Sequence, residues 1–257
     1  MRACPAVLGE ADARSELPRL GGMARPDGVV IVSERYWAFA GYDGSVREGL
    51  MPRRKLDRVP LVRGLVKLAA ALSPLLRRSG VSGRRERRVL GVLLVAPLGF
   101  VFLPGPLAWT AWGLATAALI LWLFRGRTLR LHGAEHRAIA AAEERRLAAT
   151  WAGAARPSRF SARCGTNFAA LVVPTTLMAD RLWPFAPALY TPALVTVLSL
   201  ALTMELWRAV QASRARLARV FLLPGLVLQR LTTREPSLEE TRVALAAVAS
   251  VLRRELA

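Results

Sequence analysis

The sequence predicts a mainly α-helical integral membrane protein with two transmembrane hairpins (about four spans, some short), a small N-terminal β unit and cytoplasmic amphipathic helices. Three observations carry that prediction. Of 257 residues 53% are hydrophobic, yet the formal net charge is +19, so apolar and basic residues must be segregated along the chain. They are: residues 89–124 form a run of 36 uncharged positions and residues 182–204 another of 23, which a water-soluble domain has no reason to contain. The remaining segments are basic, with 12 Lys or Arg against 2 acids in 52–88, 9 against 3 in 125–167 and 9 against 4 in 208–257. Only residues 1–51 are balanced, at 6 against 7. Disordered, collagen-like and disulfide-scaffold classes are excluded, the last because the only cysteines are Cys4 and Cys164.

Taken in order, residues 1–20 carry Glu10, Asp12 and Glu16, lack the apolar core of a cleavable signal and read as a disordered tail. Residues 21–58 read as a small cytoplasmic β unit, because Val29–Val32 and Tyr36–Ala40 are β-prone and Asp43-Gly44 is a hairpin turn signal leading into Ser45–Glu48. In 59–88, Leu61, Leu65, Leu68, Leu72 and Leu75/Leu76 share one helical face and Arg63 and Lys67 another, as in a basic helix resting at a lipid interface. Pro104-Gly105-Pro106 divides the first apolar run into arms 89–103 and 107–124, a hairpin. Residues 125–163 are a cytoplasmic loop and helix. A second hairpin spans 164–207, its arms 164–179 and 189–207 separated by Asp180-Arg181 among Pro174, Pro184 and Pro187. Residues 208–257 read as cytoplasmic helices. The last opens on the capping box Ser237-Leu238-Glu239-Glu240 and repeats Leu238, Leu245, Val248, Leu252 and Leu256 along one face.

Orientation follows from the flanking cations. Arg84, Arg85, Arg87 and Arg88 precede the first arm, Arg125, Arg127 and Arg130 follow the second, Arg156, Arg159 and Arg163 precede the third, and Arg208, Arg214, Arg216 and Arg219 follow the fourth. The two turns hold one cation, Arg181. Both termini and the loop 125–163 are therefore expected on the cytoplasmic side of the inner membrane. The expected partners are the bilayer and its anionic headgroups. Nucleic acid is not expected, since no aromatic interleaving accompanies the arginines, and no protein partner can be named.

The only histidines are His132 and His136, in His132-Gly133-Ala134-Glu135-His136. Two histidines fall four apart by chance roughly once in 130. On a helix that spacing puts both imidazoles on one face, within reach of a single ion, with Glu135 on the same side. The order H-x-x-E-H also matches the inverzincin signature, in which the histidines bind zinc and the glutamate is the general base. A structural histidine pair is the alternative. Further ligands would come from Cys164, which opens the third apolar segment, or Glu205, which ends the fourth; the alternatives are a small buried hydrophobe and an ion pair with Arg208 or another arginine. Glu143 is two turns past His136 and reads as a supporting or solvated charge.

Val59-Pro60-Leu61-Val62-Arg63-Gly64, the block from His132 to Arg137 with Glu143 after it, Arg163-Cys164-Gly165-Thr166-Asn167-Phe168, Glu205, Pro224-Gly225, and Leu228-Gln229-Arg230-Leu231-Thr232-Thr233-Arg234-Glu235-Pro236 occur in that order, after Gly21-Gly22 and Gly28. As a set they resemble a bacterial multi-pass membrane family, domain of unknown function 1385, whose members are labelled predicted metal-dependent enzymes. The resemblance covers roughly residues 20–250. It implies a divalent metal, zinc before ferrous iron, held by His132, His136 and either Cys164 or Glu205, and supported by Glu143, Arg163, Thr166, Gln229, Thr232 and Thr233. The chain departs from the family pattern at Ser161, where a third histidine is usual, at Leu131, where a tyrosine is usual, and at Ala140-Ala141-Ala142, where Asn-Cys-Tyr is usual. The expectation is a metal-dependent, hydrolase-like membrane enzyme with Glu135 as base. The competing class is a non-enzymatic membrane scaffold whose polar cluster is structural. Transport is disfavoured because few polar groups interrupt the spans.

Overall fold

The computed structural model describes residues 4–52, 56, 58–185, 188, 190–213, 215 and 217–256. The chain is mainly helical with a small N-terminal antiparallel sheet, and it divides into two units built from interleaved segments.

The first unit comprises residues 1–53, 124–164 and 226–257. Its sheet is a meander of β1 (Gly21–Arg25), β2 (Gly28–Val32), β3 (Tyr36–Gly41) and β4 (Val46–Leu50), paired in sequence order. The β3–β4 turn carries Gly44 at φ 84°, the left-handed conformation that the Asp43-Gly44 signal requires. β1, where the sequence offers only Gly-Gly-Met-Ala-Arg, lacks β-branched residues and forms because its backbone pairs with β2.

The sheet shares a core with α5 (Thr128–Glu143) and α10 (Leu238–Leu256), among other helices. Val29, Ile31, Ala38 and Ala40 of the sheet meet Leu131, Ala134 and Ala138 of α5 and Val243, Leu245, Val248 and Leu252 of α10. The capping box at the start of α10 forms: the Glu240 N–H donates to Ser237 Oγ at 3.1 Å, and the Ser237 N–H to Glu240 Oε2 at 2.8 Å.

The expected disordered tail is corrected in this unit. Residues Cys4–Asp12 form α1, whose Leu8 and Ala11 are wholly buried in the common core. The physical reason is Asp12, whose two carboxylate oxygens accept the N–H groups of Leu147 and Ala148 at 2.9 Å each and so cap α6 (Leu147–Ala152). A charge expected in solvent is instead a helix cap supplied from elsewhere in the chain. Likewise the sheet is not a free-standing unit, because four short strands without a covering layer cannot bury an apolar face.

The second unit comprises residues 54–123 and 165–225. It holds α2 (Val62–Leu76), α3 (Arg84–Gly99), α4 (Gly105–Leu123), α7 (Gly165–Arg181), α8 (Thr191–Ala212) and the beginning of α9 (Leu223–Thr232). Among the described residues, two stretches are long and apolar enough to cross a membrane, Gly105–Trp122 of α4 and Thr191–Ala212 of α8. α3 and α7 are shorter, as their arms are in the sequence. No described residue of α4 is buried, and most of its surface is exposed, with Trp109 at 80% and Leu121 at 74%, while a half-covered stripe runs through Ala108, Ala111, Ala115, Leu119 and Trp122. Five hydroxyls in these helices are satisfied locally: Thr110, Thr175, Thr196, Ser199 and Thr203 each donate to the carbonyl four residues back. α7 and α8 pack side by side and are joined by a Thr175–Thr203 hydroxyl contact. α2 lies against α8 at Gly64, where an added Cβ would sit 2.5 Å from Met204 Cβ.

Candidate metal centre

α5 builds the site. Eight of its twelve residues from Leu131 to Ala142 are small or apolar, so the helix can be sunk against the sheet and α10, and the four polar ones are His132, Glu135, His136 and Arg137. His132 and His136 stand one turn apart, their rings 4.5 Å apart between centroids and inclined at 65°. The loop before α7 brings Cys164 to the same place, with His132 Nε2 3.3 Å from Cys164 Sγ. One ligand atom each from His132, His136 and Cys164 lies within 4.8 Å of the others. Adjacent ligand atoms around a tetrahedral zinc lie about 3.3–3.7 Å apart, so the His132–Cys164 separation already fits and the widest pair needs about 1 Å of side-chain adjustment.

Each imidazole is oriented by a backbone carbonyl. His132 Nδ1 is 2.8 Å from the Thr232 carbonyl oxygen and His136 Nδ1 2.7 Å from that of Arg159. A carbonyl only accepts, so each Nδ1 carries the proton and each Nε2 presents its lone pair to the cluster. His136 Nε2 is buried with no hydrogen-bond partner among the described residues. An unmatched buried lone pair is costly, and a cation satisfies it. Two imidazole nitrogens and a thiol, with ring orientation set from behind, thus fit a zinc-type ion on donor chemistry as well as spacing.

Gly133 allows this approach. A Cβ there would lie 2.2 Å from the Arg234 carbonyl oxygen, where residues 232–236 cross α5 and the Arg234 N–H reaches the Leu129 carbonyl at 2.9 Å. That crossing delivers the Thr232 carbonyl to His132. Behind the loop, Gln229 is fully buried and pairs both ways with the Ser161 backbone, accepting its N–H and donating to its carbonyl at 2.8 Å each. Thr233 offers its carbonyl to Arg159 Nη1 at 3.1 Å, while its hydroxyl donates to the Gln229 carbonyl. Arg163 and Glu143 form a half-exposed ion pair at 2.6 Å. Arg137 is buried and holds the Pro157 carbonyl and the Glu235 carboxylate.

Three expected participants, Glu205, Thr166 and Glu135, lie outside the cluster. Glu205 belongs to the second unit, where Arg63 Nε binds its Oε1 at 2.7 Å, Arg208 its Oε2 at 3.0 Å and the Leu61 N–H its Oε1 at 3.2 Å. The ion-pair alternative describes it. Thr166 also belongs to the second unit, near the start of α7. Glu135 is turned toward β1: its carboxylate occupies the space that a Cβ on Gly22 would need, at 2.8 Å, and the Ala24 N–H bonds to it. Burial pushes its carboxyl up to about 7 against the opposing pull of His132 and Ala24. The residues that sequence reasoning missed are Arg159, whose carbonyl aims His136, and Ala24. A backbone carbonyl leaves no trace in residue identity, but Gly22 was visible as half of the Gly21-Gly22 pair.

The family described as "Protein of unknown function (DUF1385)" matches residues 124–254, half of the chain. The chain belongs to it. The DUF1385 match contains all three cluster residues together with Gln229, Thr232 and Thr233, and leaves the sheet of residues 21–50 outside. No curated protein and no solved structure matches the chain.

Proposed function

We propose that this DUF1385 protein is a multi-pass membrane protein of the bacterial inner membrane, with both termini cytoplasmic, and that His132, His136 and Cys164 hold a divalent metal, zinc before ferrous iron, for hydrolase-like chemistry. The observation that carries the reading is the buried, unpartnered Nε2 of His136 beside His132 and Cys164, each imidazole fixed through Nδ1 by a carbonyl. Three protein ligands leave an open coordination position, and a zinc ion held there would supply Lewis-acid polarisation of a carbonyl or phosphoryl oxygen. The protein's own contribution is the fixed tautomer, the water-excluding core behind α5, and Glu135, the buried carboxyl between the two histidines in sequence, as the proton-moving group.

The membrane part is supported by the largely exposed apolar surface of α4, by five hydroxyls bonded within their own helices, and by aromatic residues near both turns. Phe102 and Trp109 flank the first turn, and Trp183, Phe185 and Tyr190 lie in or beside the second, as at a membrane–water interface. A second reading, a scaffold in which the metal is structural, is favoured by one observation: the Glu135 carboxylate is committed to β1 and stands outside the cluster.

Elemental analysis of detergent-purified wild type beside H132A/H136A tests the metal. Near-stoichiometric zinc or iron, absent from a still-folded double variant, is the expected result; a metal-free wild type after reconstitution overturns it. Glu135→Gln separates the two readings, because metal retained with hydrolysis of model esters abolished supports the enzyme, and metal retained with no hydrolysis by wild type supports the scaffold.

A further inference from the structure

We infer that the second unit carries an anion site for a phosphate ester, formed by Arg78, Arg84, Arg87 and Arg88, and that the ester is the headgroup of an acidic phospholipid; the choice of lipid rests on the membrane reading above. These four arginines and Leu76 line one open cavity of about 740 Å³. No carboxylate lines it, and among the described residues Arg78, Arg84 and Arg88 have no ion-pair partner.

The arrangement is held in place. The turn between α2 and α3 is closed by the Val81 N–H on the Pro74 carbonyl at 2.8 Å and by the Gly80 N–H on the Arg77 carbonyl at 3.1 Å. Gly80 is required there, since a Cβ would lie 2.1 Å from the Pro74 oxygen. Arg87 Nη1 donates to the Ser82 carbonyl and is anchored to the same turn. The turn thus returns the chain so that Arg78, after α2, faces the first turns of α3.

Physically this is a costly way to fold without a ligand. Four guanidinium groups repel one another around shared space, and three of them stand at the beginning of a helix, where the backbone dipole already presents positive charge. Ordinary helix design places acids there, and the only one in the first turn of α3 is Glu86. A phosphate diester answers both terms at once, because each guanidinium offers paired N–H donors to phosphate oxygens. Leu76 at the rim and the uncharged run beginning at Val89 put apolar surface beside the charge, which is the order of groups in a phospholipid.

The test uses the full-length protein in an uncharged detergent. Retention of phosphatidylglycerol against phosphatidylcholine is read by native mass spectrometry, and protection from thermal unfolding by inorganic phosphate is read in parallel. The proteins compared are wild type, R84Q/R87Q/R88Q and R84K/R87K/R88K. Wild type is expected to prefer phosphatidylglycerol by about tenfold, the glutamine variant to lose that preference, and the lysine variant to keep most of it. Protection by inorganic phosphate that the glutamine variant loses, without any lipid preference, keeps the anion site and assigns it a soluble phosphate. Equal behaviour of wild type and glutamine variant toward both probes overturns the site. Unfolding of the three proteins in phosphate-free buffer separates loss of binding from loss of fold. Alkaline extraction of native membranes tests the membrane reading independently: release into the supernatant defeats that reading and leaves the phosphate arm intact.

Discussion

At the scale of single residues, the centre depends on Gly133 used as empty space. Replacing glycine by alanine inside a helix ordinarily stabilises by up to about 1 kcal/mol. At Gly133 the sign should reverse, since the new methyl would meet the Arg234 carbonyl at 2.2 Å and displace the segment that presents Thr232 to His132. We expect Gly133→Ala to destabilise by about 2 kcal/mol or more and to lower metal content in the fraction that folds, measured by thermal unfolding and elemental analysis. A variant as stable as wild type would contradict the close crossing. Glu135 makes a prediction about pH. Its carboxyl is raised from the ordinary glutamate range to about 7, so the fold favours the protonated form. Its contribution is fully present below about pH 4.5 and is lost as pH rises through about 7. Chelator-treated Glu135→Gln should therefore match wild type at pH 4.5 and exceed it at pH 8, by up to about 3 kcal/mol. Parallel stability profiles would show that the carboxyl is not perturbed.

At the scale of elements, α9 and the segment after it act as the back wall of the centre, giving His132 a carbonyl, Ser161 an amide and Arg159 a carbonyl. Gln229→Leu removes the two side-chain hydrogen bonds that Gln229 makes to the half-buried Ser161 backbone while keeping side-chain bulk. It should weaken zinc binding about 10- to 100-fold with the helical circular dichroism retained, read by chelator competition. Much of this scale was legible in the sequence. His132 and His136 are four apart, Asp43-Gly44 marks its hairpin, Ser237 to Glu240 marks the start of α10, and Pro104-Gly105-Pro106 divides α3 from α4. Each is a local signal with a local cause. What was not legible is long-range. Asp12 looks like a tail charge until α6 needs a cap, β1 has no strand-forming residues until β2 pairs with it, and Glu205 looks like a ligand until Arg63 meets it. Glu135 sits on the metal-binding side of the helix by periodicity, yet the gap left by Gly22 draws it to the sheet.

At the scale of the whole molecule, the proposed topology assigns each charged flank to one side of a bilayer and each turn to the other. Single cysteines at Pro104, Asp180 and Ser158, in a background with Cys4 and Cys164 replaced, check it with a membrane-impermeant thiol reagent. Positions 104 and 180 are expected to label in spheroplasts and position 158 only in inverted vesicles; labelling of 104 and 158 from the same side would rule the hairpin out. The interleaving of the two units has a consequence for biosynthesis. The sheet of residues 21–50 leaves the ribosome before its covering helix α10, which is made last among the elements of its core, and the Ser33 contact with Glu255 joins residues 222 apart in the chain. On the proposed topology, both helical hairpins would be inserted during that interval while an unfinished sheet, with Val29 and Ile31 lacking their α10 cover, is held back from aggregation. Nascent chains stalled before residue 238 should therefore depend on a chaperone for solubility of their amino-terminal part, whereas released full-length chains should not.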